Sequence, residues 1–152
     1  MPSSAVPGAG DWLEDEARGL KSAGIDVVVS LLESAEARQF DLASEEISFK
    51  AAGLGFVSFP IRDRAAPASP AAAAELIATL TRELDAGRSV AIHCRQSVGR
   101  SGMIAAALLA NAGIEPERAI ELVSEARGQT IPETAVQRSW ILRLRASASL
   151  PF

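Results

Sequence analysis

The run IDVVVSLL, from Ile25 to Leu32, limits the fold more than any other stretch of the chain. A strand with one wet face alternates apolar and polar residues, but this run is β-branched and apolar at nearly every position. As a strand it must be covered on both faces, which is the condition of a parallel sheet with helices on either side. Two further segments suit the same sheet, GFVSFPI from Gly55 and SVAIHC from Ser89. Asp11 and Glu14 form a capping pair for a first helix, in which Leu13, Ala17 and Leu20 keep helical spacing up to Gly24. Short helical pieces are expected after Ser34 and Ser44. Ser69 and Pro70 supply an N-cap and a first-turn proline for a helix with Leu76, Ile77, Leu80 and Leu84 on one face, ending at Gly87. Pro116 and Pro132 each open a later helix. Strands alternating with helices predict an α/β fold, a mostly parallel central sheet flanked by helices, with the three trailing helices on one side.

The length of 152 residues suits a single domain over residues 1–152. A chain of this size buries roughly 68–70% of its unfolded surface and needs no disulfide or metal to hold it. Fifteen basic against nineteen acidic side chains leave a net charge of −4, which argues against a nucleic-acid partner. One cysteine makes no internal disulfide and is too few for a thiolate zinc site. The opening MPSSAVPGAG has neither a basic start nor an apolar core of signal-peptide length. The uncharged stretch from Ser101 to Ile114 is too short to span a bilayer. The expectation is a cytoplasmic monomer without a membrane partner. Trp12 and Trp140 are expected to anchor helix packing.

The only histidine and the only cysteine stand together in HCRQSVGR, where a strand gives way to a loop and an apolar helix. A loop of this length at a helix N-terminus can turn several backbone N–H groups toward one point, a cradle for a tetrahedral oxyanion assisted by the helix dipole. The forked guanidinium of Arg100 at the far end of the loop could grip two phosphate oxygens. The same field favours a thiolate at Cys94, since a thiol of ordinary pKa near 8.5 can fall to roughly 3.5–7.5 in such a setting. The loop that binds phosphate therefore also makes a nucleophile aimed at phosphorus.

With those residues stated, the chain resembles the cysteine-dependent protein tyrosine and dual-specificity phosphatases, most of all their small bacterial or dual-specificity-like members. His93, Cys94, Gly99, Arg100, Ser101 and Gly102 of HCRQSVGRSG carry the resemblance. FPIRDRAAP looks like the family's acid loop, with Asp63 placed 31 residues before Cys94, and PETAVQRSW looks like the segment that brings a glutamine, here Gln137, to the site. The resemblance implies a protein tyrosine phosphatase-like fold and a two-step reaction without metal or cofactor. Cys94 would attack phosphorus while Asp63 protonates the leaving oxygen, and Asp63 would then activate the water that hydrolyses the phosphocysteine. Arg100 and the phosphate-binding amides of Arg95, Gln96, Ser97, Val98, Gly99 and Arg100 would stabilise the equatorial oxygens. Ser101 would hydrogen-bond the sulfur as it leaves, and His93 would hold the loop. Two departures stand out. Ser97 occupies a position where the family usually has glycine, and few residues precede the first helix, so a smaller sheet is expected.

Gln137 lies on the apolar stripe of the last helix with Trp140, Ile141 and Leu144, so it needs a partner, either the catalytic water or a backbone group. Asp26 sits inside a strand pattern and Asp85 at a helix end, so neither competes with Asp63. Glu33 and Glu36 carry no signal. The expected substrate is a phosphorylated protein or peptide, with phosphotyrosine and also phosphoserine and phosphothreonine as targets. The chain has no tyrosine to deepen a pocket wall, and Phe40, Phe49, Phe56 and Phe59 are the available replacements. A phosphoinositide or inositol phosphate is the alternative substrate. A rhodanese-like sulfurtransferase and a phosphate-binding module are the alternative functions.

Overall fold

The computed structural model describes residues 9–39, 45–93 and 99–148. Its elements, in order, are α1 (Ala9–Ser22), β1 (Val27–Ser30), α2 (Ser34–Gln39), α3 (Glu45–Ala51), β2 (Gly55–Ser58), α4 (Pro70–Asp85), β3 (Val90–His93), α5 (Gly99–Asn111), α6 (Pro116–Arg127) and α7 (Ala135–Ala148). The strands form a parallel sheet in the order β2-β1-β3, with Ser30 of β1 in register with Ser58 on one side and His93 on the other. All four residues of β1 are buried, as an unbroken apolar run requires. Asp26 closes the start of the sheet by accepting from the Ser89 N–H at 2.9 Å, a structural use of a carboxylate within the strand pattern.

Successive side chains of a strand point to opposite faces, and the two faces of β1 enter two cores. Val28 packs with Ala17, Leu32, Phe49 and Leu54 beneath α1 and α3, where Phe49 and Phe56 meet edge to face at 5.8 Å. Val29 enters the larger core, with Leu31, Ile61, Leu80, Met103, Ile104 and Ile141. The middle of that core is α5, nearly every residue of which is buried through Ala110. Helices α6 and α7 pack on it and on each other, so the trailing helices gather on one side as their apolar stripes demand.

Three local expectations need correction. Helix α1 is already formed at Ala9, so Asp11 lies inside it rather than at its cap. Leu84 is 45% exposed, because the last turn of α4 runs past the end of the core. Pro132 does not open α7: it follows a cis peptide bond with Ile131, and the helix begins at Ala135. Ser69, by contrast, caps α4 as its sequence position predicts, accepting from the Ala72 N–H at 3.1 Å with Pro70 following. Trp140 is buried, whereas the side chain of Trp12 lies outside the described residues. No helix among the described residues is long and apolar enough to cross a membrane.

Candidate active site

Arg100 is the second residue of α5 and only 1% exposed. A cation so deep must be paired and hydrogen-bonded, and it is. Its Nη1 and Nη2 donate to the two carboxylate oxygens of Glu36 at 2.7 and 2.9 Å, a forked pair. Nη1 also donates to the Ile61 carbonyl at 2.9 Å and approaches that of Leu31 at 3.5 Å. These carbonyls come from the chain just after β1 and β2, so the C-terminal ends of the strands receive the guanidinium. Helix α2 aims Glu36. As the third helical residue, Glu36 reaches back to accept from the Glu33 N–H at 3.0 Å, half of a capping box. The hydrogen bonds from Arg100 hold the Glu36 carboxyl below the usual carboxylate range, against the opposing effect of burial, with the Glu33 N–H adding to the lowering.

Asp63 reaches the same guanidinium, its Oδ1 3.6 Å from Nη2, and it is more than half exposed. The loop that carries it is fixed at both ends. Phe59 N–H bonds to Ser30 O at 2.9 Å and Ile61 N–H to Leu31 O at 3.0 Å, which continues the β1–β2 ladder beyond the strands. After Asp63 the chain turns through Arg64, in the left-handed region at φ 65°, and is tied to the start of α7. Thr134 Oγ1 donates to Arg64 O, and Gln137 Nε2 to Ala65 O, both at 3.1 Å. Gln137 is fully buried, and its Oε1 accepts from the Glu133 and Thr134 N–H groups at 3.1 and 3.3 Å. Both ends of its amide therefore go to backbone, the second of the two roles its sequence position allowed. A Cβ at Gly99 would lie 2.7 Å from Glu133 Oε1 and 2.9 Å from Gln137 Oε1, so the bare glycine lets this segment close over the start of α5.

Ser101 is buried in the first turn of α5, and its Oγ accepts from Arg127 Nη1 at 2.8 Å. His93 ends β3, with its Nε2 2.6 Å from Oε2 of Glu45, a buried carboxylate at the start of α3. Cys94, Arg95, Gln96, Ser97 and Val98, including the departure at Ser97, lie outside the described residues, as does Phe40. Phe49 and Phe56 are engaged with each other in the smaller core, and Phe59 packs against the larger one. No group of three or more His, Cys, Asp or Glu among the described residues could hold a metal ion.

Of the residues singled out in the sequence, Asp63 and Arg100 come together, with Ser101 beside Arg100 in the chain and Gln137 bracing the acid loop. Three others were missed: Glu36, Glu45 and Arg127. Their partners lie 64, 48 and 26 positions away, and no local pattern marks them. A buried guanidinium, a carboxylic acid at its rim and a hydroxyl in the same helical turn can bind an oxyanion and move a proton beside it.

A family profile described as polymorphic toxin system, DSP-PTPase phosphatase, matches residues 4–114, well over half of the chain. No curated protein sequence matches. Among solved structures, the chain is similar to kinase associated phosphatase (KAP) carrying a serine in place of its catalytic-site cysteine, with a TM-score of 0.80, 24% identity and coverage of 91% of this chain and 79% of that one. It is similar to Tk-PTP in its active form, with a TM-score of 0.71, 26% identity and coverage of 93% and 88%. It shares its fold with PTPMT1 in complex with PI(5)P, with a TM-score of 0.74, 20% identity and coverage of 89% and 86%. The profile match and the shared fold agree with the buried Arg100 and its acidic neighbour: the chain belongs to the DSP-PTPase phosphatase family of polymorphic toxin systems, and is a protein tyrosine or dual-specificity phosphatase.

Proposed function

We propose that the enzyme hydrolyses phosphomonoesters on proteins, phosphotyrosine and with it phosphoserine and phosphothreonine, through a phosphocysteine at Cys94. The observation that carries this is the shared guanidinium. Asp63 and Arg100, 37 positions apart in sequence, meet at 3.6 Å with Arg100 held by the Glu36 fork. A fork spent on Glu36 fixes the plane of the guanidinium. Its other forked edge, Nε with Nη2, is then oriented for two phosphate oxygens. In the first step the Cys94 thiolate forms the S–P bond, the P–O bond to the leaving group breaks, and Asp63 gives that oxygen its proton. In the second, Asp63 takes a proton from water as the water oxygen attacks phosphorus, and the S–P electron pair returns to sulfur. Arg100 and the loop amides of residues 95–100 stabilise the equatorial charge in both. Ser101 donates a hydrogen bond to the departing sulfur, and His93 steadies the loop. The absence of any tyrosine from the sequence favours a shallow pocket and hence dual specificity. The enzyme acts as a monomer in a reducing cytoplasm, where a lone thiolate stays active.

A second reading takes a phosphoinositide as the phosphomonoester, with support from the solved complex of PTPMT1 with PI(5)P. Phosphate release from phosphotyrosine, phosphoserine and phosphothreonine peptides, phosphoinositides and phytate, with Cys94→Ser as control, tests both. The expected result is cysteine-dependent release from peptides, with phosphotyrosine fastest. Release from lipid alone would favour the second reading. No cysteine-dependent release from any substrate would overturn both and leave a phosphate-binding module or sulfur transfer, the latter tested with thiosulfate.

A further inference from the structure

Arg127 ends α6, and its Nη1 donates to Ser101 Oγ at 2.8 Å. Its reach is set by the scaffold. The turn after α6 is closed by Gly128 at φ 73°, whose N–H bonds back to Ser124 and Glu125 carbonyls. Ser124 Oγ then accepts from the Ile131 N–H at 3.0 Å. Ile131 packs so tightly on Gly102 that a Cβ there would come within 3.1 Å of its side chain. The C-terminus of α6 is thereby fixed against the first turn of α5, the turn that holds Arg100 and Ser101.

We infer that Arg127 is a positioning residue for the second chemical step, acting through Ser101; the inference rests on the proposed phosphocysteine. A serine hydroxyl has two lone pairs and one proton. Arg127 fills one lone pair with a charged donor, so the hydroxyl proton is turned away from α6. A hydroxyl that accepts from a cation is also polarised into a stronger donor. As the S–P bond breaks, sulfur takes the electron pair and becomes a thiolate, and Ser101 donates a hydrogen bond to it without transferring its proton. The water proton goes to Asp63. Arg127 thus lowers the barrier to phosphocysteine hydrolysis, while the first step, in which the sulfur attacks rather than leaves, gains nothing from it.

The experiment is rapid-quench kinetics on the full chain with an aryl phosphate, comparing wild type, Arg127→Ala, Arg127→Lys, Ser101→Ala and Ser101→Ala/Arg127→Ala. Arg127→Ala should slow phosphocysteine hydrolysis about tenfold, the order expected when a hydrogen bond from a charged group no longer supports the transition state. The burst of phenol should become larger relative to the steady rate. Since kcat/KM ends with formation of the phosphocysteine, kcat and KM should fall together and kcat/KM stay within about twofold. Arg127→Lys, which keeps the cation, should recover most of the rate, and the double variant should be no slower than Ser101→Ala alone. A drop in kcat/KM with an unchanged burst in Arg127→Ala, or additive losses in the double variant, would overturn the inference while leaving the phosphatase mechanism intact. A steady rate that survives Cys94→Ser would instead overturn the mechanism itself.

Discussion

Glu36→Gln is the most informative single change, because the fold and the site both depend on the Arg100 pair. Arg100 is 1% exposed, so removing the nearer of its two carboxylate partners leaves a buried cation with only Asp63, at 3.6 Å, to offset it; losing one partner of a buried pair costs about 3–5 kcal/mol in comparable sites. Three features put this site at the lower end. Glu36 is about one-fifth exposed, Ile61 O still accepts at 2.9 Å, and glutamine keeps one acceptor for Nη1. Its NH2 group, however, meets Nη2 donor to donor and breaks the fork. A loss of about 3 kcal/mol, at roughly 2–4 °C per kcal/mol for a domain of this size, lowers Tm by about 6–12 °C. The pH dependence supplies the sharper check. Arg100 lowers the Glu36 pKa in the folded state, so the stabilisation is fully present above the ordinary carboxylate value of about 4.3 and is lost as pH falls through the lowered folded value. Melting followed by circular dichroism should therefore show the full gap between wild type and variant at pH 7, narrowing as the solution is taken well below pH 4. At pH 7 and below the variant's Tm, kcat/KM should fall by about tenfold to a hundredfold, because a guanidinium free to tilt no longer meets phosphate squarely. A Tm within a degree of wild type at pH 7, or a gap undiminished in acid, would refute the argument that this fork holds Arg100 in place.

Asp63→Asn should lower kcat/KM by about 10²–10³ on phosphotyrosine peptides and far less on aryl phosphates with good leaving groups, which need no proton to depart; an equal loss on both would take Asp63 out of the first step. Ser69→Ala removes the cap of α4 and should cost about 1 kcal/mol, hence roughly 2–4 °C in Tm, with kcat and KM unchanged. Gly102→Ala drives a methyl against buried Ile131 and should cost about 1–3 kcal/mol by overpacking, readable in urea as a lower midpoint at constant m-value.

The parts of this molecule legible in the sequence are those whose causes are local. The run around Val28 and Val29 requires cover on both faces whatever surrounds it, and the two cores supply that cover. Ser69 followed by Pro70 starts a helix by its own hydrogen bond and ring geometry. The separation of Asp63, Arg100 and Ser101 along the chain resembles a family pattern, which marks them as candidates, and Asp63 and Arg100 do meet at 3.6 Å. Ends of elements were less legible, because they answer to packing. Leu84 keeps the helical period of α4 but has no core left to enter, and Pro132 yields the start of α7 to a turn that carries Thr134 and Gln137 toward the acid loop.

Partnership over distance was not legible from the residues themselves, and Arg100 explains why. The sequence states that a buried guanidinium will need a carboxylate. It holds nineteen acidic residues, and nothing in the spacing ranks one above another. Glu36 wins because α2 sits at the C-terminal edge of β1 and because its carboxylate can serve the Glu33 N–H and Arg100 together. The same reasoning covers Gln137, which the apolar stripe marks as inward-facing and in need of a partner, whereas the partner, Ala65 O, is delivered by a loop 72 positions away. In each case the sequence specifies a demand, the fold chooses the supplier, and the choice ties the Asp63 loop, α2 and α7 to the helix that carries Arg100.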